Sequence, residues 1–360
     1  MAADPRPILF TTNHVPPDRT GAFAALHERE NVELALYGGR SHHATEGADD
    51  PGVPHRHVTP RELRALAASG EYRAVVGSTA GRVALPSAWR GARRARVPFV
   101  MWWSLWAPIR SAAGMAGTPL VHRILRTADA VVTYGPHVSA YVRELGVERV
   151  YEAPQAVDRW FWSQPGDATG KPAPFVLTFL GRPDRAKGGW IAEQAWRASG
   201  LLPSQAAFVL GGADGDPPRP GAAAAIRTGH LRPTEVRDLL SQTDALLVPS
   251  LRTRTFREPW GLVVNEAFLQ GVPVIASDEV GAVAGGLVRH GRNGLVVPAG
   301  DVDATAAAMR RLHDDPALRR TLALNAQADV MPYTFAAWAE GFSRALDRAG
   351  VSQSPPEIPA

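Results

Sequence analysis

The feature that most restricts this 360-residue chain is a pattern that occurs twice: short apolar runs alternating with amphipathic stretches, the two series parted by one proline- and glycine-rich break. Apolar runs of four to eight residues joined by helix-length segments are the signature of parallel strands linked by crossover helices. The first series places strands at 8–11, 32–37, 74–78, 98–102, 130–134 and 150–153, with helices at 21–29, 60–68, 120–127 and 137–145. The break, SQPGDATGKPAP at 163–174, has no periodicity and reads as a linker. The second series places strands at 175–180, 207–210, 245–249, 272–276 and 295–297, and helices at 188–198, 233–241, 261–270, 303–313 and 316–326. The expected architecture is therefore α/β, with two doubly wound Rossmann-like domains, 1–163 and 175–332, joined by a linker at 164–174 and separated by a cleft. A final helix at 334–348 carries Phe335, Trp338, Phe342 and Leu346 at spacings of three and four, a stripe built for burial.

Composition narrows the functional classes. The chain is 45% hydrophobic and 21% charged, as globular domains are. It has no cysteine, which rules out disulfides, thiolate metal sites and a cysteine nucleophile. A net charge of +4 is too small to argue for nucleic acid. No apolar run reaches the roughly 20 residues of a membrane helix, and residues 1–7 lack the pattern of a secretory signal. A cytoplasmic enzyme is expected, free or at the inner face of the membrane. Among 39 basic residues only Lys171 and Lys187 are lysines, so a lysine kept inside a motif carries information.

The richest segment runs from Arg257 to Asp301. Glu258 and Glu266 stand eight apart around Pro259, Trp260 and Gly261, where a helix begins. Amides at a helix start, here near Trp260, Gly261, Leu262 and Val263, have no partner within the helix and favour an anion. Glu266 would lie roughly 7–8 Å along the axis at 1.5 Å per residue. That is too spread for a tight carboxylate dyad, but it suits an elongated ligand with a charged centre and hydroxyls at both ends. A second cluster, FLGRPDRAKGG at 179–189, ends a strand with Gly181 and then offers Arg182 and Lys187. Ligands of open parallel sheets bind at the carboxyl ends of strands, where both clusters fall.

Together these segments resemble glycosyltransferase family 4, the retaining nucleotide-sugar glycosyltransferases of GT-B fold. The matching residues are Glu258-Pro259-Trp260-Gly261 with Glu266-Ala267, then GVPVIAS at 271–277, NGLVVP at 293–298, and Gly181-Arg182 with Lys187-Gly188. The resemblance implies that Glu258 contacts the donor sugar, Glu266 the ribose hydroxyls, and Arg182 and Lys187 the diphosphate. It also implies that the final helix, within 334–360, crosses back to the first domain, and that the loop at His230 and Leu231 lines the base pocket. Asp278, at another strand end, becomes a donor-sugar candidate. The implied co-substrate is a nucleoside diphosphate sugar, UDP or GDP, with no further cofactor and no metal. Asp214-Gly215-Asp216 imitates a metal-binding pair but reads as a turn before two prolines, and His42-His43 lacks spaced partners.

The first domain is less distinctive. Asn13 and Arg19, after the first strand, are acceptor or phosphate contacts by analogy with members that open on Pro-Pro-x-Arg. The histidine that many members carry after the strand ending at Met101–Ser104 is absent. Trp103 and its neighbours Trp102 and Trp106 suit either an acceptor ring or simple packing, and His137 either the reacting sugar or a structural hydrogen bond. The acceptor is left open as a small molecule, a glycan or a lipid, the last with peripheral membrane contact through the 105–126 region. Alternatives to glycosyl transfer are a phosphorylase or nucleotide-sugar epimerase on the same fold, or a binding protein without turnover.

Overall fold

A computed structural model describes residues 4–38, 50–79, 81, 83–108, 112–182, 184–212 and 225–351. The chain divides into two compact units, 1–158 with 333–360, and 159–332. Asp214, Asp216 and the His42-His43 pair lie outside the described residues.

The first unit is built on seven strands: β1 (Ile8–Thr12), β2 (Val32–Leu36), β3 (His55–His57), β4 (Ala74–Ser78), β5 (Phe99–Trp103), β6 (Ala130–Thr133) and β7 (Val150–Glu152). They form one parallel sheet in the order β3-β2-β1-β4-β5-β6-β7. The order reverses between β1 and β4, the switch point at which loops diverge and leave a crevice. Its helices are α1 (Thr20–Glu30), α2 (Pro60–Ala67), α3 (Ala84–Ala95), α4 (Ala112–Thr127) and α5 (Pro136–Glu144). Because helices cover both faces, central strands such as β1 and β4 are buried at every position, which is why they read as unbroken apolar runs.

The second unit opens with α6 (Arg159–Ser163). It continues through β8 (Phe175–Leu180), α7 (Gly189–Ser199), β9 (Ala206–Gly211), β10 (Ile226–Gly229), α8 (Pro233–Ser241), β11 (Ala245–Val248) and α9 (Val263–Leu269). It ends with β12 (Val274–Ser277), α10 (Gly281–Ala284), β13 (Gly294–Val297), α11 (Val302–Asp314) and α12 (Pro316–Val330). Six parallel strands run in the order β10-β9-β8-β11-β12-β13. The proline–glycine stretch is tied to this unit: Gly166 N donates to Ser241 Oγ at 2.9 Å, and Gln270 Nε2 to Gln164 O at 2.8 Å.

The last helix, α13 (Phe335–Arg348), belongs to the first unit. Thr334 caps it by accepting from Ala337 N. Trp338 and Phe342 are fully buried, with ring centroids 5.5 Å apart between Phe342 and Phe10 and 5.4 Å apart between Trp338 and Phe23. Gly341 lets the helix close on the chain leaving β7; a Cβ there would stand 2.4 Å from Glu152 O.

Several elements differ from expectation. Helix α3 replaces a stretch not expected to be regular. Its Pro86 and Gly91 read as breakers, but Gly91 packs so tightly on α2 that a Cβ would fall 2.5 Å from that of Ala67. Helix α4 starts eight residues before the expected 120, with Pro119 inside it. Strands β3 (HRH) and β10 (IRTG) are sheet edges and mostly exposed, so they lack an apolar run. Helix α9 begins two residues late because Gly261 adopts φ +92°, outside any right-handed helix.

Candidate functional site

In the second unit β9 and β10 end in Gly211 and Gly229, and Gly181 follows directly on β8. Gly181 N donates to Gly211 O at 3.2 Å and Gly212 N to Gly229 O at 2.8 Å, which leaves bare backbone along this rim. Gly212 has φ +81°, and a Cβ on it would meet Gly181 O at 2.8 Å. His230 is exposed on the loop that follows β10, and Leu231 is half-buried beside it.

After Gly181 the chain enters a short 3-10 turn, Arg185–Lys187. Asp184 fixes it from both sides: Oδ1 accepts from Lys187 N at 2.9 Å, and Oδ2 pairs with Arg182 Nη2 at 3.2 Å. The neighbouring loop, after β11, locks the turn from above. Leu251 N donates to Ala186 O at 2.7 Å. Gly188, at φ +73°, lies so near Pro249 that a Cβ would stand 2.0 Å from its carbonyl oxygen. Both constraints arise because β8 and β11 are adjacent strands.

This fixed turn aims Lys187 at Glu258. Lys187 Nζ lies 2.5 Å from Glu258 Oε2, and Ser250 Oγ donates to the same oxygen at 3.1 Å. Ser277 Oγ in turn donates to Ser250 O at 2.5 Å. Glu258 is 5% exposed, and Lys187 also sits over the Phe256 ring, 5.7 Å from its centroid. Within one unit, then, the structure joins the residue expected to touch a diphosphate to the one expected to touch a sugar. Arg182 shares the loop but is half exposed.

The segment from Glu258 to Gly261 is zipped to the start of α10. Glu258 bridges Val280, and Ala282 N donates to Trp260 O at 2.8 Å. Gly281 is required here, since a Cβ would meet Pro259 O at 2.0 Å. Trp260 is 2% exposed and donates its indole N–H to the buried Asn265 Oδ1 at 2.8 Å, so its side chain is part of the scaffold. The helical ladder of α9 begins with Val264 N on Gly261 O, so the amides of Gly261, Leu262 and Val263 precede it. Glu266 lies half-buried in the first turn. Asp278 is exposed and accepts from Ala299 N at 2.9 Å.

In sequence, Ser250, Asp184 and Asn265 carried no signal as site residues, whereas Ser277 lies at the strand end, with Asp278, that was expected to face the donor sugar. A hollow of ≈ 350 Å³ between Asp184, Arg185, Trp190 and Arg227 includes neither Lys187 nor Glu258. Among the described residues no three His, Asp or Glu are grouped as a metal would require. Nor is any described helix long and apolar enough to cross a membrane.

In the first unit, Asn13 O accepts from Gly38 N at 2.8 Å. Trp103 is 3% exposed with its indole N–H on Leu105 O at 2.7 Å, which makes it a core residue rather than an open stacking surface. His137, the second residue of α5, meets the Trp106 ring edge-on at 4.9 Å. Arg19 is 7% exposed and donates from Nη2 to Gln155 Oε1.

Two doubly wound parallel sheets, the second with a cation–carboxylate pair at its carboxyl edge, define a protein of the GT-B class. An Anabaena protein, HepE, solved in complex with UDP-glucose, shares this fold over 95% of the present chain and 99% of its own, with a TM-score of 0.74 and 17% identity. The sequence matches the family Glycosyl transferases group 1 over residues 174–315. A D-inositol 3-phosphate glycosyltransferase of Kineococcus radiotolerans is 30% identical over 310 residues, 72% of this chain and 68% of its own. A Mycobacterium tuberculosis glycogen synthase is 30% identical over 210 residues, 58% of this chain, and the match spans only 40% of that longer protein. The chain belongs to the group 1 glycosyl transferases.

Proposed function

We infer that the protein transfers a glycosyl group, with retention of anomeric configuration, from a nucleoside diphosphate sugar to an acceptor hydroxyl. The bond from the anomeric carbon to the diphosphate oxygen breaks. The acceptor oxygen bonds to that carbon on the same face, and its proton passes to the departing diphosphate. Lys187 and Arg182 stabilise the charge that develops on the leaving group, which removes the need for a metal ion. Glu258 accepts hydrogen bonds from the sugar, Glu266 from the ribose, and the amides at Gly261–Val263 face the diphosphate.

The observation that carries this reading is the Lys187–Glu258 contact, held by two loops at the carboxyl edge of one sheet. A cation and a carboxylate placed side by side match the junction in the donor where phosphate meets sugar. The Anabaena structure holds UDP-glucose, which puts UDP first among the bases to test. The proposed setting is the cytoplasm.

The test is incubation with UDP, GDP, ADP and TDP sugars in the presence of EDTA and an acceptor panel. Release of a nucleoside diphosphate with an axial-for-axial or equatorial-for-equatorial product by NMR is expected. Phosphate-dependent release of a sugar phosphate, or conversion of the donor without acceptor, would instead indicate a phosphorylase or an epimerase.

A further inference from the structure

We propose that Phe256 is a positioning residue, whose ring holds the Lys187 ammonium in place for the leaving diphosphate. Phe256 is half-buried in the loop between β11 and Glu258, and its ring centroid stands 5.7 Å from Lys187 Nζ. A cation within about 6 Å of an aromatic face is attracted by the negative charge of that face, the more so where water is excluded.

The loop is built to place the ring. Thr253 closes a turn on Phe256 from both sides: its N donates to Phe256 O at 2.8 Å, and its Oγ1 accepts from Phe256 N at 3.0 Å. The start of the loop is tied to the lysine's own turn, where Leu251 N donates to Ala186 O at 2.7 Å. The chain therefore leaves β11 beside residue 186, turns at 253–256, and returns with a ring against residue 187. Two residues later it supplies Glu258, which meets the same ammonium at 2.5 Å. One loop thus provides both the carboxylate and the aromatic face.

The two partners hold the lysine in different ways. The backbone of Lys187 is fixed by Asp184, which accepts from its N at 2.9 Å. Its charge stands at the end of a flexible four-carbon stem, and 24% of the side chain is exposed. Glu258 neutralises the ammonium and takes one of its N–H donors. In the transfer reaction that carboxylate is also engaged by the sugar, which loosens its hold. A ring attracts the cation without neutralising it and takes no hydrogen bond that the diphosphate needs. Phe256 can therefore keep Lys187 in place while Glu258 turns to the donor sugar. This role, though not the contact, rests on the glycosyl transfer inferred above.

The experiment is a double-mutant cycle on the full chain, with Phe256→Leu and Phe256→Tyr made in the wild type and in Lys187→Met. Leucine keeps an apolar side chain and removes the aromatic face, whereas tyrosine retains the face. Phe256→Leu should weaken nucleoside diphosphate binding about fivefold by calorimetry, the scale of one partly screened cation–π contact. It should leave nucleoside monophosphate affinity within about twofold. With a working donor, kcat should fall about tenfold, less than on removing the lysine itself, and the KM for the acceptor should not move. Phe256→Tyr should restore most of both losses. In Lys187→Met, Phe256→Leu should add no further loss. A loss of equal size with and without the lysine, or one that tyrosine does not repair, makes Phe256 a packing residue and overturns the proposal.

The contact is decided separately by urea unfolding, where Phe256→Leu should lower the midpoint more in the wild type than in Lys187→Met. Strictly additive effects there overturn the contact. A wild-type chain that binds no nucleoside diphosphate overturns the transfer reading and the role of the ring with it, while the unfolding cycle still decides whether ring and lysine interact.

Discussion

Lys187 and Glu258, 71 positions apart, meet at 2.5 Å because their loops leave two adjacent strands of the second sheet. The carboxylate is the more buried partner, with 7% of its side chain exposed against 24% for the lysine. Removing the lysine therefore strands a buried negative charge, while removing the carboxylate leaves a lysine that reaches solvent. Lys187→Met should cost about 3 kcal/mol in urea unfolding and Glu258→Gln distinctly less. Equal costs would show that the pair is not buried as described.

Turnover should respond in proportion to charge on the leaving group. Lys187→Ala and Arg182→Ala should each lower kcat by about 10²–10³, the scale of one preorganised charge stabiliser. Wild-type kcat in either variant removes that residue from the clamp.

The turn that carries Lys187 depends on Gly188. Alanine there must both strain a φ of +73° and clash with Pro249 O. Gly200 supplies a control, with φ +68° and nothing within 4 Å of a Cβ. Gly200→Ala should cost about 1 kcal/mol from strain alone. Gly188→Ala should cost more and should also weaken nucleotide binding. Matching stabilities with unchanged binding would show that the contact with Pro249 does not set the lysine.

How far this site was legible in sequence follows from where its contacts lie. Glu258, Glu266, Lys187 and the motifs around them are local patterns, so they could be read directly. The Lys187–Glu258 pair could not be, because it depends on β8 lying beside β11, a property of strand order rather than of either segment. The supports from Ser250, Ser277 and Asp184 were hidden for the same reason. The two-unit fold followed from alternation of apolar runs, but β3 and β10 were missed because an edge strand need bury neither face fully. Helix α3 was missed because Gly91, normally a breaker, is what allows α2 to approach. In the first unit the signal was weakest: Arg19 stood out only through a short opening pattern, and its contact with Gln155, 136 positions away, is visible only in three dimensions.

Acid should weaken the second unit at one identifiable place. Asp329 receives Arg292 at 2.8 and 2.9 Å, Arg289 at 2.6 Å and Asn293 Nδ2 at 2.9 Å. The Arg292 hydrogen bond, before any other cause, holds its carboxyl below the usual aspartate range. A lowered folded pKa means stability that is complete above the unfolded value and is lost as pH falls through the folded one. Asp329→Asn should therefore cost about 1 kcal/mol near neutrality, the exposed arginines limiting the gain, and almost nothing in strong acid. A pH-independent difference between variant and wild type would contradict this.

Tyr134 reports on Arg19. Burial raises its phenol pKa, and the Arg19 charge acts in the opposite direction. Arg19→Gln should move the Tyr134 titration to still higher pH in difference absorbance. A shift downward would mean that the cation does not face the ring.

The central claim is that Lys187 grips a diphosphate. Calorimetry should compare nucleoside diphosphate with nucleoside monophosphate in the wild type, in Lys187→Met and in Glu266→Ala. The diphosphate should bind about tenfold tighter than the monophosphate in the wild type, a difference of about 1.4 kcal/mol. Lys187→Met should erase that preference, whereas Glu266→Ala should weaken both nucleotides and leave it in place. An undiminished diphosphate preference in Lys187→Met would contradict the account.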